Sequence, residues 1–164
     1  MGETGPTMID LRKMSFGGPA AIVTSMALIV GLDAATATKA TVVTSLLIIG
    51  VADNLTDSLS VHIYQESEGM AQRRALRATV GNFFTRLAVA LSFVALFLLL
   101  PNQAAIVVCV AWGFLLLAGL SWLLARIRHA NAIAEIWKHS AVAVAVIALS
   151  RLIGGWLPGA IGLG

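Results

Sequence analysis

Five apolar stretches, four of them close to 20 residues long and the second longer, follow one another along this chain of 164 residues. They run at about 16–32, 40–68, 79–100, 104–125 and 140–157. About 20 mostly apolar residues in a helix match the hydrocarbon thickness of a bilayer. Hydrophobic types make up 59% of the chain and charged types only 12%. A water-soluble domain carries roughly a quarter charged residues, and one of this size has too little interior to hide so much apolar chain. The expected fold class is therefore all-α: a polytopic membrane protein of five transmembrane helices, in a single domain spanning 1–164. A β-barrel requires repeated segments of alternating polarity, about 10 residues each. Only Ala141 to Val146 alternates, and its alternation is between Ala and Val within apolar surroundings.

Charge between the stretches gives an orientation. Arg12 and Lys13 precede the first. Arg73, Arg74 and Arg77 lie between the second and third, and Arg126, Arg128, His129 and Lys138 between the fourth and fifth. The two remaining connections carry Asp33 with Lys39, and the uncharged Pro101-Asn102-Gln103. Cation-rich and cation-poor connections alternate, which by the positive-inside rule puts the N-terminus in the cytoplasm and the C-terminus outside. The net charge of +3 then reflects topology and contact with anionic lipid, and no nucleic-acid partner is expected. Trp112, Trp122, Trp137 and Trp156 are candidates for interfacial anchors or helix packing. The single cysteine, Cys109, allows no disulfide within the chain and reads as a small buried apolar residue. No removable signal peptide is expected. The first stretch opens on Gly17-Gly18-Pro19, read as a helix start with proline in its first turn or as a break. Pro101 and Pro158 are expected to close the third and fifth helices.

Ionisable groups at membrane depth are costly and mark a pathway, a relay or a buried pair. The second stretch carries them, from Ala52-Asp53-Asn54-Leu55-Thr56-Asp57-Ser58 to Glu66-Ser67-Glu68. At about 100° per residue, Asp53, Asp57, Ser60, Tyr64 and Glu68 share one side of a helix. His62 and Glu66 fall roughly opposite, with Asn54, Ser58 and Gln65 between. Oxygen donors on successive turns suit Mg²⁺, Ca²⁺ or Mn²⁺, and a histidine admits Fe²⁺. The candidate metal ligands are accordingly Asp53, Asp57, Ser60, His62, Tyr64, Glu66 and Glu68. A carboxylate in a low dielectric favours its neutral form, which suits exchange of a proton for a cation. The rival reading is structural. Arg86, in the third stretch, stands where an antiparallel neighbour can reach Asp53 or Asp57, and such a pair takes an oxygen away from any cation. No nucleophile–base set, cofactor loop or phosphate-binding loop is present, so no enzymatic activity and no permanently bound cofactor is expected.

Phe16-Gly17-Gly18-Pro19-Ala20-Ala21-Ile22-Val23-Thr24 with Gly31-Leu32 resembles the first-helix motif of the vacuolar iron transporter (CCC1-like) family. Ala52 to Ser60 with Glu66-Ser67-Glu68 resembles that family's second helix, and the third helix closing on Leu99-Leu100-Pro101 is also similar. The resemblance covers about residues 14–101. It implies a homodimer of five-helix subunits in a plasma (inner) or organelle membrane, moving Fe²⁺ or Mn²⁺ out of the cytoplasm in exchange for protons. It also implies a metal path between the first two helices of both subunits, with Asp57 and Glu66 at matching positions. Three features depart from the family pattern. Ala20 or Pro19 stands where an acid is usual, Val61 where a methionine is usual, and the short connection after Glu68 replaces a glutamate-rich insertion.

Overall fold

The computed structural model describes residues 18–67, 69 and 72–162. Among them are five helices: α1 Gly18–Ala34, α2 Lys39–Ser67, α3 Gln72–Leu99, α4 Asn102–Arg128 and α5 Ala132–Ala160. The described backbone contains no strand, so Ala141 to Val146 is helical, within α5. Segments from α2, α3, α4 and α5 are each long and apolar enough to cross a membrane. The described part of α1 is a shorter apolar helix of 17 residues, the lower limit of spanning length. The chain is thus an all-α, polytopic membrane protein.

Most helices are longer than hydropathy suggests. α3 begins at Gln72, seven residues before the apolar run, so Arg73, Arg74 and Arg77 ride on its first turns. α5 begins at Ala132, which places Trp137 and Lys138 on a helix as well. Its start is fixed by Asn131, whose side chain accepts from the backbone N–H groups of Ile133 at 3.0 Å and Ala134 at 3.3 Å. Pro158 does not close α5, which runs on to Ala160 with the proline in its last turn. Pro19 sits in the first turn of α1, where its missing N–H costs no helical hydrogen bond.

α1 is the central helix, in contact with each of the other four. Ala21, Ile22, Ser25, Met26, Ile29 and Val30 are all buried along it. Its crossing with α5 is the tightest. A Cβ on Gly154 would collide with the backbone oxygen of Gly31, and one on Gly31 would lie 3.1 Å from the Ser150 oxygen. Small residues bring backbones close enough for dispersion to act, which matters where lipid removes the hydrophobic drive between helices. α2 and α3 form an antiparallel hairpin laid against α1. Lys39 Nζ holds its far end by donating to the carbonyls of Leu98 at 3.0 Å and Leu100 at 2.9 Å, at the negative end of α3. The hairpin's register brings Gly50 against Ala90, with 3.0 Å between an added Cβ and the Ala90 Cβ.

The tryptophans divide between packing and surface. Trp112 donates to Ser92 Oγ at 3.1 Å and ties α4 to α3. Trp122 carries the Arg126 guanidinium 4.8 Å above its ring, while Trp137 and Trp156 are exposed. Cys109 is buried, as expected from its setting.

Candidate functional site

The α2–α3 hairpin brings one cation to two acids. Arg86 on α3 is almost entirely enclosed, with 1% of its side chain exposed. Its Nε donates to Asn54 Oδ1 at 2.8 Å and its Nη2 to Asp53 Oδ2 at 3.3 Å. Its Nη1 pairs with Asp57 Oδ2. All three partners stand on α2 within a little more than one turn, so the planar guanidinium fork is met from three directions. The ion pair expected of Arg86 as a structural residue is therefore present, and it involves both acids rather than one.

The acids themselves are not enclosed. Asp53 keeps 47% of its side chain exposed and Asp57 43%. Each uses one carboxylate oxygen on Arg86 in the ion pair, which leaves the other for a further partner. With both acids ionised, the cluster holds two negative charges against one positive. A small cavity opens beside it, lined by Ala21, Thr24 and Ser25 of α1 together with Gly50, Asp53 and Arg86. It has room for about one water molecule.

The remaining candidate ligands are distributed over different faces. Ser60 is exposed on the side of Asp53 and Asp57, and its hydroxyl donates back to the Thr56 carbonyl at 3.0 Å. Tyr64 lies on that side too, 65% exposed. His62 Nε2 is 3.4 Å from Glu66 Oε1, one turn apart on the other side of α2. Glu68 lies outside the described residues. Among the described residues no group of three or more His, Cys, Asp or Glu converges on a point where a metal ion would sit. The fold thus brings Asp53 and Asp57 together through Arg86, and His62 with Glu66, but not the two pairs with each other.

Four residues not proposed as ligands share the most enclosed part of the hairpin. Asn54 is 2% exposed and Asn82 1%, with Ser58 and Gln65 also buried. The signal for them was present in the sequence: polar residues at 54, 58 and 65 on one helix and at 82 and 86 on the next have the spacing of one seam.

Comparisons with family models, with curated proteins and with solved structures gave no match. The class that the fold and site define is a helical membrane protein with a two-acid, one-arginine cluster on its α2–α3 hairpin.

Proposed function

We propose that this chain is a divalent-cation transporter that exports Fe²⁺ or Mn²⁺ from the cytoplasm in exchange for protons, and that it works as a homodimer. One observation carries the reading: two half-open acids, Asp53 and Asp57, share a single enclosed cation, Arg86. Arg86 offsets one carboxylate. The second charge is expensive at membrane depth unless it takes a proton or a cation. Two such clusters facing each other in the homodimer would carry −2, which either two protons or one divalent cation neutralises, and alternation between those two states is the exchange step. Arg86 keeps the pair from binding a cation too tightly to release it. The resemblance of the first three helices to the vacuolar iron transporters supports the choice of ion and direction.

The dimer follows from the same face. Asp53, Asp57, Ser60 and Tyr64 cannot all meet lipid without cost, and a second copy offers matching oxygens. The N-terminus is then cytoplasmic, in a plasma or organelle membrane.

A second reading is favoured by the Arg86 bonds themselves. On it the chain is a non-transporting membrane subunit, and the ion pairs only fix the α2–α3 hairpin. One experiment separates the two. Purified protein in liposomes is tested for uptake of Fe²⁺ and Mn²⁺, with Co²⁺, Zn²⁺ and Mg²⁺ as comparisons, with and without a pH gradient. Uptake that follows the gradient, and falls at least tenfold in Asp57→Ala, is the expected result. Correctly inserted protein that moves none of these ions supports the structural subunit instead.

A further inference from the structure

The hairpin register sets what lies below Arg86. The Asn54–Arg86 bond and the approach of Gly50 to Ala90 show that four residues forward on α2 match four residues back on α3. The same step puts Ser58 level with Asn82. One to two turns further on are His62 and Gln65, near the end of α2 that carries the α2–α3 turn. From Gln65 to Asn54 is 11 residues, about 16 Å along a helix and about half the hydrocarbon thickness.

This seam is lined with polar atoms that lack protein partners. Asn54 Nδ2, Ser58 Oγ, His62 Nδ1, Gln65 Oε1 and both Asn82 side-chain polar atoms are buried with no hydrogen bond among the described residues. Leaving one such group unsatisfied costs about 1–3 kcal/mol, and a row of six is not tolerated dry. The atoms include both donors and acceptors, with Nδ2 groups that give, oxygens that take, and a hydroxyl and an imidazole able to do either. Such a row matches water, which does both. It does not match a metal cation: the amide donors and the Arg86 guanidinium repel one, and the carboxylates that reach the row do so through Arg86 or, for Glu66, through His62 at its far end. It does not match an anion either, because Asp53 and Asp57 already oversupply negative charge beside Arg86.

We infer that ordered water fills the α2–α3 seam from the Gln65–His62 level to Arg86, and that this file is the proton route to the Asp53/Asp57 cluster from the arginine-bearing end. The cation, by contrast, reaches the acids from their open side. The water file stands on the seam's own chemistry; its use as a proton route rests on the transport reading above.

The seam is tested in the native chain. The protein has four asparagines: Asn54, Asn82, Asn102 and Asn131. Asparagine-selective ¹⁵N labelling in lipid bilayers therefore gives four side-chain amide signals, and magnetisation transfer from water reports which of them touch it. Asn131, exposed at the start of α5, is the wet reference. Asn54 and Asn82 are expected to build up at a rate within about threefold of Asn131. No transfer to either over the same mixing time overturns the water file. In Asn82→Leu, of nearly equal volume but with no polar atoms, transfer to Asn54 is expected to fall by more than half. Unchanged transfer to Asn54 overturns the route past Asn82. A wet seam in a protein that moves no ion in liposomes refutes the transport reading and leaves the water file intact, whereas a dry seam in an active transporter does the reverse.

Discussion

Arg86 and its two acids differ sharply in burial, and that difference decides what each one contributes. The guanidinium is enclosed, whereas the carboxylates are half open. Removing the acids leaves a buried cation with only Asn54 for company, and an uncompensated buried charge costs about 3–5 kcal/mol. Removing the arginine leaves two half-exposed acids, whose desolvation is smaller than that of an enclosed cation. Asp53→Ala/Asp57→Ala is therefore expected to lose about 3–5 kcal/mol of stability, and Arg86→Met less than that. Thermal or denaturant unfolding in detergent near neutral pH ranks the two variants, and the opposite order refutes the argument. Part of this was legible beforehand. Arg86 is the lone charged residue between 79 and 100, and an unaccompanied cation at membrane depth calls for an acid on a neighbour. The Asn54–Arg86 bond was not legible, because spacing groups Asn54 with Ser58 and Gln65 but does not say which group on α3 its amide meets.

Between elements, the α1–α5 crossing is set by glycine. Gly154 lies against the Gly31 backbone, while Gly155, its neighbour, has nothing within 4 Å of an added Cβ. Gly155→Ala is expected to be neutral or to gain up to about 1 kcal/mol, from helix propensity alone. Gly154→Ala carries the same propensity gain but forces the two helices apart, at about 1–3 kcal/mol of overpacking. A melting-temperature comparison of the two single variants in one detergent tests this, and equal temperatures remove the crossing from the account. The existence and order of the five helices could be read from hydropathy because bilayer thickness imposes a length. Their ends could not. Gln72 to Ala78 and Ala132 to His139 are polar enough to read as connections, yet they continue helices beyond the apolar runs. Nor could the central position of α1 be read. In a soluble bundle an apolar stripe points inward, but here lipid accepts apolar residues on the outside too, so periodicity carries little information about which face is enclosed.

For the molecule as a whole, the open side of α2 determines what must stand beside it. Asp53, Asp57, Ser60 and Tyr64 share that side, whereas Val51, Leu55, Leu59 and Ile63 form an exposed apolar side elsewhere on the same helix. Lipid suits the second set. An ionised side chain facing the bilayer centre costs about 2.5–3.5 kcal/mol on insertion scales, so the first set needs water or protein against it. A homodimer closed by a two-fold axis would place each such side against its copy, doubling the carboxylates around one path and supplying the donors that a single subunit does not bring together. Cysteine cross-linking in native membranes distinguishes the sides. With Cys109 replaced by Ser, Ser60→Cys is expected to give a disulfide-linked dimer on mild oxidation, and Leu55→Cys, about 140° away around the helix, is not. Cross-linking at 55 but not at 60 would put the second copy on the apolar side and leave the acids to water within one subunit. Cross-linking at neither position would remove α2 from any subunit contact, and with it the dimeric cation path. Cross-linking at 60 alone would make the acids of two chains neighbours, the arrangement that exchange of a divalent ion for protons requires.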